Sequence, residues 1–397
     1  MISVEQATQI ILSHTIGLGE EIISMPESTG RILQEDLIAD RDFPPFHRVS
    51  MDGIAFQFDH FAAGNRSFKI EGLQAAGVPQ MTLDNPINCL EVMTGAVLPN
   101  GADTVVRYED VLIENGMATI QIEQVKEGQN VHKRGTDRAA GEIIVRRGNL
   151  ISPAEIGVAA TIGKPQVKVL KMPKVAIIST GDELVDIEEK PLPHQIRKSN
   201  VHNLASAVRQ WGVPANLFHL PDEKQAIKEV LSTVLENHEA LILSGGVSAG
   251  KLDFIPVVLE ELKVEKLFHK VAQRPGKPFW FGKSEAAVVF AFPGNPVSSF
   301  MCLNRYFRPW LRASLGLAPF EKKYALLGKD FNFKPALTYF LQVRIEFADD
   351  GRLRAMPIEG KGSGDLANLV DADAFMELPN GRDQFSEGEV FPFILYR

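Results

Sequence analysis

Cysteine is scarce in this chain of 397 residues: only Cys89 and Cys302 occur, far apart and in unrelated contexts. That excludes a disulfide framework and a thiolate metal cluster, and it fits a reducing cytosol. No apolar run approaches the roughly 20 residues that span a bilayer. The opening MISVEQATQIILSH lacks the basic start and apolar core of a secretory signal, so a cytoplasmic protein with no membrane partner is expected. Basic residues are also in the minority, 42 Lys and Arg against 50 Asp and Glu, for a net charge of −8. Such a balance argues against a nucleic-acid partner, and any anionic substrate must be held by local cations. Internal repeats and low-complexity tracts are not evident. What the chain does have is ordinary globular material, 45% hydrophobic and 23% charged, in a length that exceeds one domain.

Periodicity divides it. Residues 1 to about 40 read as helical, with Val4, Ala7, Ile10 and Ile11 on one stripe and a second helix starting at Ser28 or Thr29. Pro44, Pro45 and Gly53 then exclude a long helix, and short strands with turns follow to about 147. Ser152, Pro153 and Glu155 form a capping box that opens a helix. From VAIIST at 175 strands and helices alternate, with helices expected at 199–211, 222–237, 253–262 and 296–313: a doubly wound α/β domain. From about 320 the pattern is strand-rich again, which predicts a compact C-terminal β domain.

The chemistry gathers at the strand ends of the α/β part. LILSGGVSAGKLD, Leu241 to Asp253, is a buried strand running into a glycine turn, where open α/β sheets hold ligands. Gly245 to Lys251 satisfies the front of a Walker loop, but Leu252 stands where Ser or Thr must ligate Mg²⁺, so the match fails. In STGDELVD, Asp182 and Glu183 follow a strand; they suit Mg²⁺, which takes one or two carboxylates plus phosphate oxygens, or else form a solvated acidic turn. QRPGKP displays Arg274 and Lys277 on a proline-stiffened turn, suited to a tetrahedral dianion. In FPGNPVSSF, Pro296 opens a helix with Ser298 in its first turn, a ready oxyanion site, or else a stiff connection.

The ordered series MDGIA, MTGAVLPNGADTVVRYED, STGDEL, SGGVSAGKLD, RPGKP and FPGNPVS, over about residues 3 to 395, resembles the molybdopterin molybdenumtransferase family (MoeA), which includes the E domain of gephyrin. The resemblance implies a linking segment from 1–44 and 148–172, part of 1–25 packing on the α/β domain, and an inserted β-rich domain at 45–147. It further implies an α/β domain at 173–318, similar to the molybdopterin adenylyltransferases, and a β barrel at 319–397. The implied reaction inserts molybdenum from molybdate into adenylated molybdopterin, with Mg²⁺ as cofactor and AMP released, in a homodimer with composite sites. By the same resemblance Asp52, Thr94, Asp137, Glu183 and Asp253 are catalytic positions, and Asp182, Glu183 and Asp253 hold the metal. Molybdate falls to Arg274, Lys277, Ser298, Arg344 and Ser363. Substrate contacts fall to Gly181, Asp182, Ser199, Asn200, Ser244, Gly245, Gly246, Ser248, Gly250, Pro275, Gly276, Pro293, Gly294, Asn295 and Pro296.

Four positions depart from the family pattern. Lys198 stands where an acid is usual, beside Ser199 as the expected N-cap, so Lys198→Asp is expected to raise activity. His132 replaces an arginine, and Arg274 a common lysine. Gln342 takes an arginine position, with Arg344 two residues on along the same strand face. Two other functions fit the same residues: adenylation of molybdopterin through the GGVSAG loop, and a gephyrin-like dimeric scaffold.

Overall fold

A computed structural model describes residues 1–246, 254–360 and 362–397. The chain forms two compact units, Met1–Glu21 with Leu170–Arg397, and Ile22–Val169.

The first unit is built on a six-stranded sheet. Its order is Ala215–Leu220, Val175–Thr180, Ala240–Ser244, Val288–Phe292, Trp280–Lys283, Glu265–His269. The first four strands are parallel, while Trp280–Lys283 runs antiparallel to both neighbours. The central strands are buried throughout, which is why they read as unbroken apolar runs. Alternate residues Ala176, Ile178, Leu241, Leu243, Val289 and Ala291 pack on helices Lys224–Asn237 and Ile255–Glu261. By strand alternation the intervening residues face the other side, where the Phe290 ring meets Phe307 and Trp310 at 5.4 and 5.6 Å. Each Val, Leu or Ile side chain buried this way contributes roughly 1.5–3 kcal/mol.

Successive connections leave Val175–Thr180 toward one edge and Ala240–Ser244 toward the other. The crevice between these two strand ends is a topological switch point, the place where such sheets bind ligands. A second sheet closes on itself. Thr338–Phe347, Leu353–Pro357, Lys323–Leu327, Val390–Leu395 and Ala374–Leu378 pair in a ring, a five-stranded barrel filled by Leu327, Leu341, Val343, Met376 and Phe391 among others. Gln273–Arg274 pairs with the start of Thr338–Phe347 and so ties the RPGKP loop to the barrel. Helix Val4–Leu12, with a capping box between Ser3 and Gln6, belongs to the same unit; Val4, Ala7 and Ile11 are buried. Trp310 Nε1 donates to His14 O at 2.9 Å.

The second unit has separate cores. Six strands between Gly53 and Ile120 enclose Ile54, Phe56, Phe68, Cys89 and Val106. Leu33, Leu37, Val145, Ile151, Ala159 and Val167 form another, under helix Pro153–Thr161 with its Ser152–Glu155 capping box.

Three expectations change. No helix starts at Ser28: Met25–Glu27 is a single 3-10 turn, and Ser28 Oγ donates back to Met25 O at 2.7 Å, closing it. Long-range pairing of Ile32 with Leu150 then draws the chain out, overriding local propensity. Ser199 is not an N-cap; it is the first helical residue, and the N-cap is Lys198, whose side chain makes no capping bond. The expected helix 296–313 is interrupted by a π turn at Leu303–Phe307. Both thiols are buried and free, and burial pushes Cys89 up to about 12, so neither is a poised nucleophile. No described helix is long and apolar enough to cross a membrane.

Candidate functional site

The crevice at the switch point opens into a cleft of about 610 Å³. Its wall comprises Ser179 to Gly181, Glu183, Lys198 to Val201, Ser244 to Gly246 and Pro293 to Pro296. Gly181 is required here: at φ +127 it adopts a backbone that side chains avoid. Asn200 ties two loops together, its Nδ2 donating to Ser244 Oγ at 2.9 Å and Gly294 O at 2.7 Å. A carbonyl oxygen can only accept, which fixes the amide orientation and leaves Oδ1 as a buried acceptor with no partner among the described residues.

Asp182 does not line this cleft. Its carboxylate accepts from Asp222 N at 3.1 Å, capping the neighbouring turn, so the acids that line the space among the described residues are Glu183 and Asp222. Among the described residues no cluster of three or more His, Cys, Asp or Glu is set to hold a metal. Two carboxylates lining a cleft with room for a phosphate do satisfy the modest protein share of a Mg²⁺ shell. Lys198 has acquired a partner: its Nζ is 3.6 Å from Asp186, and only 16% of its side chain is exposed.

His219 is the next-to-last residue of the edge strand Ala215–Leu220, 3.0 Å from Ser179 Oγ. Burial, then the Lys198 charge, depresses its pKa, partly opposed by the Ser179 contact. The folded state thus favours neutral imidazole, while the unfolded chain takes up a proton near the ordinary value of about 6.5. Stability should be full above that value and fall as pH drops through the depressed pKa. Urea melts at pH 5 and pH 7 should show a smaller difference for His219→Gln than for the wild type; an equal difference would assign the titration elsewhere.

A pocket of about 530 Å³ adjoins the cleft, sharing Pro278, Pro293 and Asn295 with it. Arg274, Lys277, Ser298 and Ser363 line it together, with Pro275 and Gly276. Neither cation has an ion-pair partner among the described residues. The loop is held from beneath. Gln273, fully buried, donates through Nε2 to Gly276 O at 3.0 Å and accepts from the Tyr306 hydroxyl, which the π turn presents. On the other side Asn295 Nδ2 donates to Ser363 Oγ at 2.9 Å and Val297 N to Ser363 O at 3.1 Å.

Arg344 is not in this pocket. It shares a strand face with Gln342, but two residues along a strand is about 6.6 Å, and its guanidinium donates to Asp371 O at 3.1 and 3.3 Å. Gln342 itself lines the pocket. Ser248, Gly250 and Asp253 lie outside the described residues.

In the second unit Asp52 and Thr94 form a pair. One carboxylate oxygen accepts from Thr94 N at 2.6 Å and Thr94 Oγ1 at 2.8 Å, and these bonds lower the Asp52 pKa. Asp137 meets His132 Nε2 at 2.9 Å, and Arg48 Nη2 lies 3.1 Å from His132 Nδ1. Guanidinium only donates, so Nδ1 accepts and Nε2 carries the proton toward Asp137. Arg48, 84 residues away in sequence, thus brings a guanidinium to the position where the motif has histidine.

A ligand cleft at the switch point of an α/β sheet, continued by a cation-lined pocket against a closed barrel, defines a modular α/β ligand-binding protein. Residues 2–163 match the MoeA N-terminal region (domain I and II), 176–313 a probable molybdopterin binding domain, and 324–396 the MoeA C-terminal region (domain IV). A molybdopterin molybdenumtransferase of Synechocystis sp. is 41% identical over 397 residues, 99% of both chains. Another from Staphylococcus epidermidis is 30% identical, covering 99% of this chain and 95% of that one. The crystal structure of a molybdopterin biosynthesis MoeA protein from Pyrococcus horikosii superposes with a TM-score of 0.83 at 31% identity, over 100% of this chain and 99% of that one. The chain belongs to the MoeA family of molybdopterin molybdenumtransferases.

Proposed function

We propose that this protein inserts molybdenum from molybdate into adenylated molybdopterin, releasing AMP, in the cytoplasmic assembly of the molybdenum cofactor. The observation that carries the reading is the pocket of Arg274, Lys277, Ser298 and Ser363 opening beside the Glu183 cleft. Molybdate occupies the pocket. The adenylated pterin lies in the cleft, with its pyrophosphate along the glycine turns at 181 and 245–246 and its dithiolene toward the oxyanion. Glu183 is the residue that would hold Mg²⁺, and the ion would supply charge neutralisation for cleavage of the pyrophosphate link. Arg274 and Lys277 orient the oxyanion and offset its charge, while Asn200 Oδ1 accepts from a donor on the substrate. Residues 45–147 act as an inserted domain whose Asp52, Thr94 and Asp137 complete the site of the partner subunit in a homodimer.

The deciding experiment supplies molybdate and adenylated molybdopterin and measures AMP. Release that depends on molybdate and needs no ATP supports insertion; ATP consumption with pyrophosphate release would mark an adenylyltransferase instead.

Lys198 contributes a cation to the pyrophosphate end of the cleft. Its pairing with Asp186 reverses the effect expected of Lys198→Asp, which would set two carboxylates together where an anion must bind. The variant should raise the KM for adenylated molybdopterin by about tenfold, the scale of one charge-assisted contact. A lowered KM would restore the view that an acid belongs there.

A further inference from the structure

The pocket contains an unused hydrogen-bond donor. Gln342 is 9% exposed and lines the pocket, and its Nε2 is buried without a hydrogen-bond partner among the described residues. Its other end is occupied: Oε1 accepts from Asn368 Nδ2 at 3.0 Å, a residue itself 6% exposed. The bare backbone of Gly360 closes over this amide pair, where a Cβ would stand 2.7 Å from Asn368 Nδ2 and 3.4 Å from Gln342 Oε1. A buried, unpaired N–H is costly unless something in the pocket accepts from it.

The rest of the lining sharpens the demand. No carboxylate or imidazole lines the pocket among the described residues. Arg274 and Lys277 only donate. Side-chain acceptors free to serve a ligand are limited to hydroxyls and the Asn295 carbonyl, and the Ser363 hydroxyl already accepts from Asn295. We propose that Gln342 is a specificity-determining residue, making the pocket select fully deprotonated tetrahedral dianions, molybdate, tungstate and sulfate, over hydrogen phosphate. Each oxygen of such a dianion accepts, whereas hydrogen phosphate carries a P–O–H whose proton needs a strong acceptor and whose oxygen turns a donor toward Nε2. This rests on the reading of the pocket as an oxyanion site.

The test is calorimetric titration of the full-length protein at neutral pH with sodium molybdate, sulfate and phosphate. Sulfate and hydrogen phosphate are nearly the same size, so their ratio isolates the proton. The wild type should bind sulfate at least about tenfold more tightly than phosphate, the scale on which one lost hydrogen bond to a charged group is felt. Gln342→Glu keeps the oxygen that Asn368 needs and exchanges the donor for a charged acceptor. It should weaken molybdate by about tenfold or more and bring the sulfate-to-phosphate ratio to one or below. Gln342→Leu should weaken molybdate by a similar factor, with thermal melts verifying that both variants fold. An unchanged ratio in a folded Gln342→Glu protein, with molybdate binding that still requires Lys277, would overturn the assignment of Gln342 alone. If the wild type binds none of the three anions, and Lys277→Ala changes nothing, the oxyanion reading itself falls and this inference with it.

Discussion

Lys277→Ala should raise the molybdate concentration needed for half-maximal AMP release by about tenfold or more. The loop that carries Lys277 is fixed before any ligand arrives: Pro275 and Pro278 flank it, Gln273 holds the Gly276 carbonyl, and Gln273–Arg274 is paired to the barrel. Little backbone freedom remains to be lost on binding, so the contact keeps most of its intrinsic strength. The ammonium has no ion pair among the described residues, and removing it breaks no internal bridge. One charge-assisted hydrogen bond is worth about 1.5–3 kcal/mol, or roughly ten- to more than a hundredfold in affinity. Exposure and salt screening act toward the lower end of that range. With adenylated molybdopterin saturating, the maximal rate should change less than the half-saturation point. Lys277→Arg should recover part of the loss, since charge returns without the compact ammonium geometry. An unchanged molybdate saturation curve for Lys277→Ala would remove this loop from the oxyanion site.

What the sequence disclosed and what it hid differ in range. Ser152 and Glu155 are three residues apart, and their reciprocal capping depends on nothing distant, so the helix start was legible. The parallel strands announced themselves by being apolar on both faces, and the loops after them by Pro and Gly. Arg274, Lys277 and Ser298 therefore stand out as a candidate oxyanion site from local pattern alone. The supports of that site are long-range hydrogen bonds: Tyr306 to Gln273 across 33 positions, Asn295 to Ser363 across 68, and Asn368 to Gln342 across 26. No local pattern distinguishes a buried glutamine with a partner from an exposed one, because the partner is chosen by tertiary register. Arg344 failed for a related reason. Strand alternation gives the face of a side chain correctly and says nothing of how far along the strand the pocket extends. Asp182 likewise looked interchangeable with Glu183 in sequence, yet the Asp222 amide claims it.

Mixing two inactive variants should restore activity if each site is shared between subunits. Asp52→Asn and Glu183→Gln are suited to this because both substitutions are nearly isosteric. Asn at 52 keeps a carbonyl oxygen to accept from Thr94 N and Oγ1, so the turn is retained while the charge is lost. Each variant alone places one lesion in every site, and each homodimer should release little AMP. In a heterodimer of the two, a two-fold axis gathers both lesions into one site and leaves the other whole. Random equal exchange makes about half of the dimers heterodimers, each with one good site of two, so the mixture should recover roughly a quarter of wild-type activity. A site completed within a single subunit predicts otherwise: every site would keep one lesion, and mixing would recover nothing. Co-refolding the variants with distinguishable mass tags lets native mass spectrometry count the heterodimers while AMP release is measured on the same sample. A mixture rich in heterodimers but no more active than its components would show that Asp52 and Glu183 do not serve one another across the dimer.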